Sequence, residues 1–271
     1  MKKKYYINTI NDLEEDDISI YKTSYIRENQ DLINKHLTSW EISILNQTIL
    51  ASIFAPLHTV ERKSRLKFWR PTEFHFGKSI LYVPVNYYVI TDIIDTFDVD
   101  VDGLFHGKNL AGRVQSCINM LEYEISERTP LINVRDKITE NFNIYDMTMA
   151  FKEILGNYEN TIIPKNTLPI IMKISEIPEI ENRLILYHYL YISLPKFNRY
   201  LLESAIYFIY RLHDHKINKM YQINMEGIAT LMMPHLLLKK NEHLTLDEIY
   251  KLVKFTKELI LNFKTICRQQ Y

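Results

Sequence analysis

Asp98, Asp100 and Asp102, followed by Gly103, place three carboxylates at alternate positions ahead of a turn residue, the opening of the loop with which EF-hands wrap calcium. That chemistry is completed by a bidentate Glu after five more residues, and Asn109 stands there, so the run does not specify calcium. Gly103, Gly107 and Lys108 approach a phosphate loop, but only three residues separate the glycines and the lysine is followed by Asn109 instead of a hydroxyl. His213 and His215 are two apart in a helical stretch, hence on different faces, with no thiolate nearby to complete a zinc site. No G-x-S-x-G, no H-E-x-x-H and no locally supported Cys/His pair occurs. These residues predict no metal, no cofactor and no enzyme of their own making.

The elements that must carry any site are helical. Glycine is scarce, at 6 in 271 residues, and apolar residues recur at helical spacing, which predicts an all-α fold. Leu37, Trp40, Ile44 and Leu45 predict a helix over 29–54. Residues 61–70, ERKSRLKFWR, read as a basic and aromatic linker. Arg62, Lys63, Arg65, Lys67 and Arg70 beside Phe68 and Trp69 are either solvated, as most such runs are, or a weak contact for an anionic membrane or RNA. From Pro84, Val85, Val89, Ile93 and Phe97 mark a helix that ends in the turn-rich segment DVDVDGLFHGKN. Leu110, Val114, Ile118 and Leu121 mark the next, with Asn109 as N-cap. A third covers 145–156. Leu184, Tyr187, Tyr191 and Leu194 give a stripe ended by Pro195, and Leu201, Ala205, Phe208 and Leu212 give one entered through Asn198. Thr245 and Glu248 have capping-box spacing ahead of a last amphipathic helix.

Lys+Arg and Asp+Glu both number 33, so no bulk field recruits nucleic acid or acidic lipid, and no nucleic-acid partner is expected. Cys117 and Cys267 lie far apart, which fits a reducing, cytoplasmic setting better than a disulfide framework. Met1 to Lys4 precede a polar and acidic stretch where a leader has an apolar one, and no run approaches the ~20 apolar residues of a membrane span.

Four segments, in order, resemble the RhoGAP domain family. Phe76–Gln115 has the Phe-Gly start, the proline-led helix, and Asp102-Gly103-Leu104-Phe105 on the family's acidic-Gly-Ile-Phe pattern, with Arg113 on its later arginine. Ala150–Pro164 resembles the leucine-lysine helix and the proline loop after it, with Lys152 at the lysine. Arg183 followed by LPKFNRYLL resembles L-P-x-x-N-x-x-L-L, and NKMYQINMEGIATLMMPHLLL resembles N-K-M, N-L-A and G-P-N-L.

The resemblance implies a RhoGAP-like helical bundle over 72–271 with an N-terminal helical extension and basic linker over 1–71. It implies a module that binds a Rho, Rac or Cdc42 type GTPase at its switch region and activates it, without being an enzyme itself. The site residues it implies are His106, where the family has its catalytic arginine, and Lys152, Arg113, Asn224, Gly227 and Pro234 as GTPase contacts. Two registers stay open: the functional asparagine falls on Asn224 or on Gly227, and the lysine on Lys152 or, counted without a gap, on Leu155. A second family arginine falls on Gly156. Read from their helices alone, Lys152 is a solvent-facing lysine, Arg113 and Arg183 pair across the bundle, and Pro234 ends a helix. His106 implies one alternative, an impaired pseudo-GAP that serves as scaffold or effector; a GAP-like helical adaptor is another.

Overall fold

The computed structural model describes residues 15–54, 71–76, 79–97, 104–105, 111–157, 161–217, 224–239 and 242–267. Three helices come first, α1 (Glu15–Glu28), α2 (Gln30–His36) and α3 (Ser39–Phe54), then a hairpin, β1 (Pro71–Phe76) and β2 (Ser79–Pro84). The bundle continues with α4 (Val85–Thr96), α5 (Ala111–Ser126), α6 (Leu131–Asn141) and α7 (Ile144–Gly156). After a 3-10 turn (Lys165–Thr167) follow α8 (Leu168–Ser175), α9 (Ile180–Ser193), α10 (Lys196–Ile217), α11 (Met225–Leu237), α12 (Leu246–Leu261) and α13 (Phe263–Ile266). The fold class is all-α. The hairpin pairs antiparallel from Pro71 opposite Pro84 to Phe76 opposite Ser79, between the basic run and α4, where no strand was expected.

Helix boundaries follow local chemistry. The helix expected over 29–54 is two, because Leu37 is extended and Thr38 restarts the chain. The Thr38 hydroxyl accepts from the Glu41 amide at 3.3 Å while Glu41 accepts from the Thr38 amide at 2.6 Å, a capping box. The capping box expected at Thr245 and Glu248 is present at α12. At α10 the start is Lys196, directly after Pro195, and not Asn198. Among the described residues α1, α6, α8 and α11 are helices the apolar spacing had not marked.

The core is aromatic at its centre. Phe151 of α7 lies 4.9 Å from Phe208 of α10, 5.6 Å from Tyr87 of α4 and 6.4 Å from Phe105, ring centre to ring centre. Each ring is nearly or fully buried, and such tilted pairs add ~1 kcal/mol each beyond their apolar burial. On the other side, Tyr187 of α9 meets Phe255 of α12 at 4.8 Å. The N-terminal helices pack on the α8–α9 side: Tyr25 donates to the Ile185 carbonyl at 3.1 Å, and Lys173 pairs with Glu41 at 2.8 Å. Both cysteines are free and buried. No helix among the described residues is long and apolar enough to cross a membrane, and none of their acidic, His or Cys side chains form a group able to hold a metal. Asp98, Asp100, Asp102, the basic run 61–70, Asn109 and the side chains of His213 and His215 lie outside the described residues.

Candidate functional site

Helix α7 is the spine of the site, and its start is fixed from two directions. Asn143 accepts from the Asp146 amide at 2.9 Å and its own amide donates back to Asp146 at 3.2 Å, so the helix begins on a capping box. Asp146 is fully buried, and a bare carboxylate there is costly. Arg113 of α5 neutralises it, donating through Nε at 3.1 Å and Nη2 at 2.8 Å to the same oxygen, with a further bond to the Asn141 carbonyl at 3.1 Å. These bonds raise the arginine's pKa further above its ordinary value. Arg113 therefore locks α5 to the first turn of α7, as the cross-bundle reading expected.

Further along, Thr148 and Lys152 stand one turn apart on one face. The Thr148 hydroxyl donates to the Leu104 carbonyl at 2.5 Å, and the Lys152 ammonium donates to the Phe105 carbonyl at 3.2 Å. Leu104 and Phe105 are 3% and 2% exposed, so two consecutive carbonyls are turned inward, where each needs a donor. Lys152 is itself 5% exposed, which corrects the solvent-facing reading, and burial pushes its pKa down. Leu155, the other candidate for the lysine position, is an apolar core residue at 1% exposure. The peptide that leads out of Phe105 is thus held by α7. His106 follows it in sequence and lies outside the described residues.

One more turn brings α7 to its end at Gly156. A Cβ built there would stand 2.7 Å from Nδ1 of His235, so the glycine serves a close approach to α11. At the other end of α11, Asn224 is the exposed N-cap and accepts from the Glu226 amide at 3.1 Å. Gly227 sits half-buried in the first turn, and Pro234 is exposed on the same face two turns later, about 10 Å along the axis. Pro234 does not end the helix. It lies inside it, and the Leu238 amide still bonds to the Pro234 carbonyl at 3.0 Å. Its ring leaves no N–H for the Thr230 carbonyl, and Thr230 is exposed, so water can serve that group instead.

The loop between α7 and α8 is tied to the same face. The Ile163 amide donates to the Leu236 carbonyl at 3.2 Å, and Asn198 donates to the Thr161 and Ile162 carbonyls at 3.3 and 2.8 Å. That duty explains Asn198 better than helix entry does. Arg183 is structural: its guanidinium is buried on Glu258 at 2.6 and 3.0 Å and on the Ile177 and Pro178 carbonyls at 2.6 and 2.8 Å. So α7 brings together the Leu104–Phe105 turn, Lys152, Arg113 and, through His235, the Pro234 end of α11, while Asn224 and Gly227 mark the far end. Thr148 and His235 were not singled out from sequence.

Residues 84–241 match the family model for the RhoGAP domain, more than half of the chain. Among solved structures, the chain is similar to the BH domain from GRAF, described as the GTPase regulator associated with focal adhesion kinase: TM-score 0.55, 18% identity, covering 67% of this chain and 94% of that one. It is also similar to human Rho GTPase activating protein 15, with TM-score 0.57 and 15% identity over 68% of this chain and 83% of that one. At these identities the likeness speaks for the fold. No curated protein sequence matches.

Proposed function

The chain belongs to the RhoGAP family, as a GAP-like module of Rho GTPase regulation, and from that premise we propose that it docks on the switch region of a Rho, Rac or Cdc42 type GTPase and stimulates hydrolysis only weakly. The docking face runs from the Leu104–Phe105 turn along α7 to α11. In this reading residues 72–271 form the GTPase-facing module and residues 1–71 a helical extension. Arg62, Lys63, Arg65, Lys67 and Arg70 add a weak contact to anionic membrane, and the protein works in the cytoplasm.

A GTPase activator places a cation against the charge that grows on the phosphoryl oxygens and steadies the residue that orients the attacking water. An arginine in that place is worth roughly 10³ to 10⁵ in rate. His106 stands there instead. An imidazole, with an ordinary pKa of about 6.5, is mostly neutral at neutral pH and lacks the two-pronged fork of a guanidinium. Charge stabilisation is therefore lost, whereas docking and water ordering persist.

The observation that carries this reading is the pair of bonds from Thr148 and Lys152 to the Leu104 and Phe105 carbonyls. A buried lysine and a buried threonine are spent on presenting the residue that comes next, which suits a loop whose tip has a task. Lys152 then acts through the turn, and Asn224, Gly227 and Pro234 form the α11 part of the face. Single-turnover GTP hydrolysis on a panel of Rho-type GTPases tests this: the wild type accelerates weakly, and His106→Arg gains at least ~10²-fold. Acceleration by the wild type as large as an arginine-bearing relative gives would overturn the impaired reading. Absence of any binding, even with a transition-state mimic of the phosphate, would leave a helical adaptor.

A further inference from the structure

Helix α11 carries an acceptor that the helix itself cannot use. A proline inside a helix has no N–H for the carbonyl one turn before it, and Pro234 lies inside α11, so the carbonyl it leaves is that of Thr230. The ladder resumes beyond it, with the Leu238 amide on the Pro234 carbonyl at 3.0 Å. The Thr230 hydroxyl does not replace the missing donor, because it donates back to the Glu226 carbonyl at 2.8 Å. Among the described residues no group from outside α11 donates to the Thr230 carbonyl. The position of Thr230 on the helix decides where this oxygen lies. Ile228, Ala229, Met232 and Met233 are buried, whereas Glu226, Thr230 and Pro234 are exposed and follow one another along a single stripe. A helical carbonyl points along the axis to the residue one turn on, so the Thr230 oxygen lies between Thr230 and Pro234 on that stripe. Carbonyls on the solvent side of a helix also tilt outward.

We propose that the Thr230 carbonyl is a specificity-determining acceptor for the GTPase: Pro234 keeps it unpaired within α11, and a side-chain N–H of the partner, from a guanidinium or an amide, takes the place of solvent there. The inference rests on the docking reading above and gives one point of the α11 face its chemistry. A helical carbonyl already paired along the ladder has only its second lone pair to give, whereas this one offers both without loss of an internal bond. GTPases with a donor opposite this turn are preferred over those with a carboxylate there, which would meet an oxygen of like partial charge.

Affinity of the full chain for a Rho-type GTPase loaded with a transition-state mimic, read together with thermal unfolding, tests this. Pro234→Val keeps apolar bulk at the surface and supplies the missing N–H. It raises the unfolding midpoint, because the ladder now closes on Thr230, and weakens binding about five- to ten-fold, because the acceptor is taken. Pro234→Ala also supplies the N–H, and its affinity agrees with that of Pro234→Val within about two-fold. Wild-type affinity in both variants overturns the acceptor and leaves docking intact. A loss confined to Pro234→Ala also overturns it and marks an apolar contact of the ring instead. A midpoint raised in neither variant shows that no N–H was missing, with the same consequence. Absence of wild-type binding sinks the docking reading and this acceptor with it.

Discussion

Among the described residues two lysines are buried, and they do opposite things. Lys152, under the Leu104–Phe105 turn, has a carbonyl to bind at 3.2 Å. Lys22, in the seam between α1 and the α9 side of the bundle, is 7% exposed and its ammonium has no hydrogen-bond partner among the described residues. It lies 5.8 Å from the centre of the Tyr189 ring, and burial, helped by the charge on Arg199, pushes its pKa down to about 7. The same seam holds His188, which bonds to Tyr21 at 3.0 Å and to the Ile266 carbonyl at 2.6 Å, and which burial pushes down to about 4. The turn is held by a polar device whose partners meet. The seam is held by apolar and aromatic packing that tolerates ionisable groups at a cost, so His188 makes it respond to acid below pH 6.5.

The largest expected effect is on the seam. His188 has a lowered folded pKa, so its ring is neutral in the fold and protonates more readily in the unfolded chain; stability falls as pH drops from 6.5 towards 4, by at most about 3 kcal/mol. Lys22 has the same sign in another window: stability falls from pH 10.5 towards 7 and is level below that. Hydrogen exchange of α1 amides should therefore rise on acidification before that of α7, and equal protection of both would dissolve the contrast. Next comes a pair of like substitutions with opposite outcomes in urea unfolding at neutral pH. Lys22→Met stabilises by about 1–3 kcal/mol, because it removes a buried ammonium without a partner. Lys152→Met destabilises by about 1–3 kcal/mol, because it leaves the Phe105 carbonyl orphaned. Both moving in one direction would show that the lysines are equivalent. Thr148→Val, with a smaller cost of about 1 kcal/mol, should weaken GTPase binding more than its stability loss explains, which a titration reads directly.

Much of this was legible in the sequence, for reasons that can be named. Helices with unbroken apolar stripes, such as α7 and α12, declared themselves, and so did the cap at Thr245. Thr38 and Glu41 carry the same cap spacing as Thr245 and Glu248, but they sit inside a stretch that reads as one continuous helix, so the break is concealed. α1 was hidden by its own chemistry, since Lys22 interrupts the stripe of Ile18 and Tyr25. The hairpin had a strand signal in the alternation of Phe74, Phe76, Ile80 and Tyr82 around Gly77-Lys78, which helical reading on both sides overrode. For the candidate site, the resemblance pointed to the turn and to Lys152 or Leu155 as the lysine position. It did not reveal that the lysine points inward, because apolar periodicity counts a lysine as surface whichever way it faces. His235 had no signal at all: its place against Gly156 is a contact between two helices and exists only once they are packed.

The measurement that tests the central claim most directly is single-turnover GTP hydrolysis by a Rho-type GTPase with His106→Arg, alone and combined with Lys152→Met. If α7 presents residue 106 through the Phe105 carbonyl, the arginine raises the rate by at least ~10²-fold and loss of the lysine cancels most of that gain. An arginine that gains nothing, or a gain indifferent to Lys152, would contradict the account.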